Sequence, residues 1–262
     1  MKTEKLKIAI LGTGNVAWHL AKAISQTATY QVVEIWGRNE AKVNELAQFL
    51  QISCKSNLDF RTSKANIILL AISDSALPQI LRQIQVSTWQ VLAHTSGSTS
   101  IEVFENLRCK ANFGVFYPLQ TFSKNREVNI HEVPFCIEAN SAETQKLLWS
   151  LAESLSSKVF HINSHERLLL HLAAVFANNF VNHLFSISQE ILQKNNLPFE
   201  LLVPLIKETC LKAIEAENIK DIQTGPARRK DTNTIQKHLN LLQADENKWK
   251  IYEIISQSIM QG

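Results

Sequence analysis

The candidate catalytic side chains in this 262-residue sequence are of types that can move a proton or orient a polar substrate: His94, His171, Asn178 and Asn182. An imidazole titrates near neutral pH and therefore suits general acid–base work. Residues four and seven apart share one face of an α-helix, so His171, Asn178 and Asn182 would form a polar stripe. We expect His171 and His94 to be candidate proton carriers and the two asparagines to orient a substrate oxygen. The alternative is structural, because polar groups in an apolar helix also bind neighbouring helices or a second subunit.

A glycine-rich turn near the start of the chain could hold a phosphate group. The apolar run at 7–11 stops at Gly12, and helical periodicity begins at Val16, so Gly12, Gly14 and Ala17 form a G-x-G-x-x-A turn. Such a turn bends tightly, admits a pyrophosphate to the backbone and aims the N–H groups of a helix at the anion. The residues expected to contact a dinucleotide here are Gly12, Thr13, Gly14, Asn15, Val16 and Ala17. A tight turn without any ligand is the alternative.

The residues just after the second predicted strand indicate which dinucleotide the chain would bind. Residues 31–36 are predicted as a strand, and a helix is predicted from about Glu40 to Leu50. At the end of this strand an acid would bind the ribose 2′-hydroxyl of NAD, whereas an arginine accommodates the 2′-phosphate of NADP. Arg38 occupies that place, followed by Asn39, while the nearest acid, Glu34, lies inside the strand. The sequence therefore favours NADP over NAD, although Arg38 could also be a solvated turn residue.

Alternating strands and helices must position these residues. The apolar run 66–72 and the run 90–94 are predicted as parallel strands covered on both faces, and Asp74 between them is expected to cap a helix from Ala76 to Ile84. Short connections of this kind predict an α/β fold with a doubly wound, mostly parallel sheet, whose ligands collect at the carboxyl ends of the strands. Further expected cofactor contacts at that edge are Ala71, Ile72, Ser73, Ser96 and Gly97, with Ser98 facing the substrate.

From about residue 163 the pattern is helical only. We therefore expect a dinucleotide-binding domain at 1–162 and an all-α domain at 163–262 that binds substrate and forms a homodimer. A long helix should begin at Asn163 or Ser164, with a capping box to Glu166, and end at Lys194. Its stretch 168–177 is apolar except for His171, so we expect it to be buried on most sides.

A turn-rich segment at 224–231 contains two arginines, Arg228 and Arg229. It is either an exposed basic loop or a source of an arginine that binds an anionic substrate group. Helices are predicted on either side of it, at roughly 199–216, 232–242 and 246–260.

Composition excludes several classes of protein. Twenty-seven basic and 24 acidic residues are mixed along the chain, which argues against a nucleic-acid surface. Four widely spaced cysteines without a ligand grouping predict reduced thiols in a cytoplasm and no metal site. The N-terminus lacks a signal-peptide core and no later run approaches membrane-spanning length, so we expect a cytoplasmic protein without a membrane partner.

These motifs together resemble a family of bacterial Rossmann proteins described as NADP oxidoreductases, whose reaction is not settled. The resemblance covers nearly the whole chain and rests on the segments 12–17, 94–97, 117–122 and 171–182 and on Thr224 to Asp231. It implies an N-terminal domain similar to that of deazaflavin-dependent NADP reductases and a helical domain similar to that of 6-phosphogluconate dehydrogenase. It also implies substrate contacts from Tyr117, Pro118 and Gln120, although this family more often carries His-Pro where Tyr117-Pro118 stands.

The sequence thus predicts an NADP-dependent oxidoreductase that transfers a hydride to or from a small anionic substrate in a cleft between the domains. NAD as cofactor and a deazaflavin as co-substrate are less favoured. The alternative function is an NADP-binding sensor or interaction protein without turnover.

Overall fold

The computed structural model describes residues 4–262. The chain divides into two compact units, one that ends at Asn178 and one from Asn179 to Gly262. The boundary between the two compact units therefore lies inside the long helical segment that begins at Ser164. The domain division after residue 162 stays a prediction.

The first unit is built on an eight-stranded sheet. Its strands are β1 (Leu6–Leu11), β2 (Tyr30–Trp36), β3 (Ser53–Cys54), β4 (Ile67–Leu70), β5 (Val91–His94), β6 (Asn112–Pro118), β7 (Phe135–Ala139) and β8 (Val159–His161). They lie in the order β3-β2-β1-β4-β5-β6-β7-β8. Every neighbouring pair is parallel except β6 and β7. The predicted doubly wound, mostly parallel sheet is therefore confirmed, while the two-residue β3 and the antiparallel pair were not predicted.

The helices also follow the predicted pattern closely. In the first unit they are α1 (Asn15–Ser25), α2 (Glu40–Leu50), α3 (Leu77–Gln83), α4 (Ala142–Glu153) and α5 (Ser164–Ala174). In the second they are α6 (Val181–Lys194), α7 (Val203–Glu215), α8 (Thr232–Leu241) and α9 (Glu246–Gln261). A π-helical segment, Val175–Phe180, lies between α5 and α6. The all-helical C-terminal region is thus confirmed.

Two apolar layers cover the central strands. Ile8 and Ile10 of β1 face the layer that contains α1, α2 and α4, whereas Ala9 and Leu11 face the layer that contains α3. Because successive side chains of a strand point to opposite faces, a continuous apolar run is what a strand covered on both sides requires. All four residues are fully buried.

The start of α5 follows the predicted capping box. The Asn163 side chain accepts a hydrogen bond from the Glu166 amide, and the Glu166 carboxylate accepts one from the Asn163 amide, each at 3.0 Å. Both interactions satisfy N–H groups that a helix start leaves without partners.

The apolar surface of the long helix differs from the prediction. Leu168, Leu169 and Leu172 are each about half exposed, and Arg167 is the buried residue of α5. The expectation that this helix is buried on most sides is wrong for the single chain, because the helix is held on the side of Arg167 while its leucines face outward. Uninterrupted helicity over Ser164–Lys194 also makes a 31-residue helix that is long and apolar enough, by length and composition only, to cross a bilayer. The expectation that no run approaches that length is therefore wrong as well.

Candidate functional site

Contacts within the chain require a glycine at position 12, whether or not a ligand is bound. Its φ is +125°, and a Cβ at this position would lie 2.0 Å from the Ala71 carbonyl oxygen. The Gly12 amide donates to the Trp36 carbonyl at 2.8 Å, and the Ala71 amide donates to the Leu11 carbonyl at 2.8 Å. The turn thus brings the ends of β1, β2 and β4 together, with Ile72 beside it.

Gly14 is open on the side where a ligand would approach. It is the N-cap of α1 with an extended backbone, and a Cβ there would meet no atom of the described chain within 4 Å. Among residues 4–262, no side chain caps α1, and no acid lies in its first turn. The first N–H groups of a helix have no partner within the helix, so this end can bind an anion. The geometry fits the diphosphate of a dinucleotide.

The other residues of the turn have distinct surroundings. The Asn15 side-chain amide donates to the Phe122 carbonyl at 2.8 Å and so holds the segment after β6. Ala17 is fully buried against the sheet, as close packing of helix on strand requires. Thr13 lies beside the β2–α2 loop, since a Cβ on Gly37 would approach its Cγ2 to 3.0 Å.

Arg38 follows Gly37 at this edge and is exposed. Within residues 4–262 its side chain makes no hydrogen bond or ion pair, which leaves the guanidinium available to a ligand. Asn39 instead caps α2, because its side-chain oxygen accepts a hydrogen bond from the Lys42 amide at 3.0 Å.

The loops after β4 and β5 are joined by a hydrogen bond between side chains. The Ser98 hydroxyl donates to the Asp74 carboxylate at 2.6 Å. The Ser96 hydroxyl accepts from the amides of Ser98 and Thr99 at 3.2 and 2.9 Å and so shapes the second loop. The prediction that Asp74 caps a helix is wrong, because it lies inside a 3-10 turn that starts after Ser73 and has no side-chain cap.

Tyr117, His171 and Gly97 meet at the same edge of the sheet. The Tyr117 hydroxyl and His171 Nδ1 are 3.3 Å apart, within hydrogen-bond distance, and a Cβ on Gly97 would lie 2.6 to 2.9 Å from both side chains. Burial raises the pKa of Tyr117 to about 12, so the phenol keeps its proton at neutral pH. His171 is partly exposed, so one side chain of the pair is accessible to solvent.

His94 does not suit the predicted role of proton carrier. It is fully buried at the end of β5 and stacks on Phe104 with ring centroids 5.6 Å apart. Burial, and to a lesser extent the nearby Arg167 charge, lowers its pKa to about 3. The imidazole is therefore neutral, with Nδ1 accepting a hydrogen bond from the Ser96 amide at 3.2 Å. This environment corrects the prediction: His94 shapes the loop rather than exchanging protons with a substrate.

Sequence reasoning missed a buried ion pair beside the cluster formed by Gly97, Tyr117 and His171. Arg167 donates to the Glu138 carboxylate at 2.6 Å, to the Thr99 carbonyl at 2.6 Å and to the Ser164 hydroxyl at 3.2 Å. Arg167 is 1% exposed and Glu138 14%. Arg167 stands four residues before His171 on the same helix face, which was a visible signal, but nothing local in the sequence identifies Glu138 as its partner.

The remaining predicted residues do not join this cluster through any described contact. Pro118 is buried at the end of β6, and the exposed Gln120 accepts a hydrogen bond from its neighbour's amide at 2.7 Å. Asn178 is exposed in the π-helical segment. A π-helix has more residues per turn than an α-helix, so the expectation of one uniform stripe through this segment is wrong.

The second unit holds the other predicted residues. Asn182 is exposed on α6. Arg228 and Arg229 are exposed in a turn that is anchored by the buried Ala227 and by Asp231, which caps α8. Both readings of this turn, a basic loop or an anion clamp, stay open.

Comparisons with known proteins agree with this geometry. Residues 7–93 match the family model "NADP oxidoreductase coenzyme F420-dependent", and residues 133–259 match a domain of unknown function, DUF2520. A solved Bacteroides fragilis protein described as a "putative NADP oxidoreductase" is 38% identical, with 98% of this chain and 99% of that chain covered and a TM-score of 0.90. The chain belongs to this NADP oxidoreductase family. No curated protein matches it.

More distant neighbours of this oxidoreductase share the fold alone. Pyrroline-5-carboxylate reductase from Streptococcus pyogenes is 15% identical, with a TM-score of 0.66 over 97% of this chain and 99% of that chain. A reductive aminase from Aspergillus terreus, solved with NADPH, is 12% identical, with a TM-score of 0.73 over 99% of this chain and 95% of that chain.

Proposed function

We propose that this chain transfers a hydride between NADP(H) and a small anionic substrate. The observation that carries the proposal is the open N-terminus of α1 at Gly14, where the chain leaves room that a diphosphate would fill. Arg38 supplies an unpaired positive charge beside the same turn for a 2′-phosphate. The family match to NADP oxidoreductases supports the same cofactor. NAD as cofactor and a deazaflavin as co-substrate are the less favoured alternatives.

The bound nicotinamide would supply the hydride, and the protein must move one proton. The Tyr117–His171 pair is suited to this task, since a protonated phenol and a partly exposed imidazole share a hydrogen bond. Tyr117 would donate to the substrate oxygen or nitrogen, and His171 would connect the phenol to solvent. Asn178 and Asn182 keep their proposed role of orienting the substrate, and Arg228 or Arg229 that of binding its negative charge. The free cysteines are compatible with a reducing compartment such as the cytoplasm.

Turnover tests this proposal directly. NADPH oxidation should be followed with keto acids, cyclic and open-chain imines, and oxidised deazaflavin; the panel includes imines because two fold neighbours are named a pyrroline-5-carboxylate reductase and a reductive aminase. With any active substrate, Asn178→Ala should lower kcat at least about tenfold, or 1.4 kcal/mol, while the NADPH dissociation constant stays within twofold. An equal loss of kcat and of NADPH affinity would contradict the role of Asn178.

A sensor that binds NADP without turnover is the second candidate. It is favoured by the burial of His94, which removes one of the two histidines expected to exchange protons. Tight NADPH binding with no oxidation across the whole panel would support the sensor.

A further inference from the structure

Three chain segments meet at the Tyr117–His171 pair, and one buried residue connects two of them directly and the third through a paired strand. Gly97 belongs to the loop after β5, His171 to α5, and Tyr117 to β6. The segments come from distant parts of the sequence, so their relative position depends on tertiary contacts. A long hydrogen bond of 3.3 Å is sensitive to small displacements of either partner.

Arg167 is bonded to the β5 loop and to α5 directly, and to β6 through its neighbouring strand β7. Its guanidinium donates to the Thr99 carbonyl in the loop after β5, to Ser164 in the first turn of α5, and to Glu138 on β7. β7 is the antiparallel partner of β6, with Cys136 directly opposite Tyr117. Thr99 and Ser164 therefore lie on the segments that carry Gly97 and His171. Glu138 lies on the strand that pairs with the strand of Tyr117.

Ser164 completes the connection. Its hydroxyl donates to the Glu138 carboxylate at 2.7 Å and accepts a hydrogen bond from the Ile101 amide at 2.9 Å. The start of α5 is thus held against the sheet and the β5 loop by several directed bonds. His171 lies four residues after Arg167, about one helical turn along the same face.

The chemistry of arginine suits this position better than that of any other side chain. A planar guanidinium has five donors in fixed directions and can bind three acceptors at once, which an ammonium on a flexible stem cannot do with the same geometry. Burial makes each bond directional and strong but leaves the pair costly to break. The arrangement fixes geometry, and it lies beside the reacting groups rather than among them.

We propose that Arg167, through Glu138, Thr99 and Ser164, is the positioning residue that holds His171 in hydrogen-bond contact with Tyr117. This deepens the proposed function, and rests on it for the role of the pair in proton transfer. The contact itself can be measured without any substrate.

The test follows the His171 ring by nitrogen-15 NMR of the full-length protein labelled at histidine. Tyr117→Phe removes the hydroxyl and defines the signal of an uncoupled His171 ring. Arg167→Met combined with Glu138→Leu removes both buried charges while keeping apolar volume, a replacement that folded proteins often tolerate. We expect the double variant to give the His171 shift of Tyr117→Phe although Tyr117 is present.

Two further variants separate positioning from stability. Arg167→Lys keeps the charge but cannot reach three acceptors, so its His171 shift should move from the wild-type value toward that of Tyr117→Phe. Lys248→Met removes another mostly buried cation, which pairs with Glu190 and Asp245, and should leave the His171 shift unchanged. A wild-type His171 shift in either folded Arg167 variant would overturn the proposal.

Tyr117 gives an independent signal. If the cluster loosens, solvent reaches the phenol and its pKa should fall from about 12 toward the ordinary value near 10 in the double variant. An unchanged or raised Tyr117 pKa would mean that Arg167 supplies charge without positioning. Failure of the NADPH oxidation panel would refute the oxidoreductase proposal but would leave both measurements of the contact valid.

Discussion

The imidazole of His94 has a different chemistry from that of a solvated histidine. Its Nδ1 accepts the Ser96 amide, so the proton of the neutral ring is on Nε2, which is buried and has no hydrogen-bond partner among the described residues. Protonating Nδ1 would break the bond to Ser96 and place a charge in an apolar site beside Arg167. The ring is thus a neutral acceptor that shapes the Ser96–Ser98 loop.

Stability should therefore fall as the pH drops below 6.5. The pKa of His94 is about 3 when folded and about 6.5 when unfolded, so between these values the unfolded chain binds a proton that the folded chain does not. The His94 contribution should be lost at up to about 1.4 kcal/mol per pH unit over this window. Urea unfolding at pH 7 and pH 5 measures it.

His94→Asn is the matched variant for this experiment. Its side-chain oxygen can still accept the Ser96 amide, but it does not titrate. The difference in unfolding free energy between pH 7 and pH 5 should shrink in this variant; an identical difference in both proteins would contradict a depressed His94 pKa.

Arg38 should determine the choice between the two dinucleotides. Arg38→Ala removes the charge that would meet the 2′-phosphate, so NADPH should bind at least about tenfold more weakly while NADH binding is unchanged. Arg108→Ala is the control. This exposed arginine precedes β6 and so lies where the parallel strands begin, whereas Arg38 follows β2, where they end. Equal losses of NADPH and NADH affinity in Arg38→Ala would show that the side chain has no part in phosphate recognition.

At the scale of elements, structure that depends on neighbouring residues was predictable. The turn from Gly12 to Ala17 followed from where an apolar run stops and a helical period begins, and the α5 capping box from the spacing of Asn163 and Glu166. The unpredicted contacts join distant residues: Asn15 to Phe122, Ser98 to Asp74 and Arg167 to Glu138. Sequence spacing contains no information on such pairs, because tertiary packing alone brings them together.

The same limit explains two errors in the predicted site. His94 and His171 look alike in the sequence, and only burial against Phe104 and the nearby Arg167 charge make His94 inert. The stripe from His171 through Asn178 assumed a uniform α-helix, whereas Val175–Phe180 is wound as a π-helix. A local change of winding leaves no clear mark in hydrophobic periodicity.

At the scale of the whole molecule, exposed apolar side chains predict self-association. Leu168, Leu169 and Leu172 of α5 are about half exposed, and several large apolar side chains of α7 are exposed as well. Exposed apolar surface of this extent is typical of a subunit interface. We propose that the chain forms a homodimer through its C-terminal helices.

Light scattering at micromolar concentration should give a mass of twice 29.7 kDa. Leu172→Lys should shift the mass toward 29.7 kDa, because a charge at the interface would lose its hydration on association. Trp89→Lys is the matched control, since Trp89 is equally exposed but lies outside the C-terminal helices. A monomeric wild-type protein would refute the dimer.

The central claim is that a dinucleotide diphosphate binds the uncapped end of α1, and calorimetry of NADPH binding to wild type and Gly14→Val tests it most directly. The backbone of Gly14 suits any residue and its Cβ would meet no atom of the described chain, so the variant should keep the wild-type thermal stability. We predict that wild type binds NADPH with measurable heat and that Gly14→Val binds at least about tenfold more weakly, because its side chain occupies the space of the phosphate. No heat with wild type, or equal affinity in a folded Gly14→Val, would contradict the account.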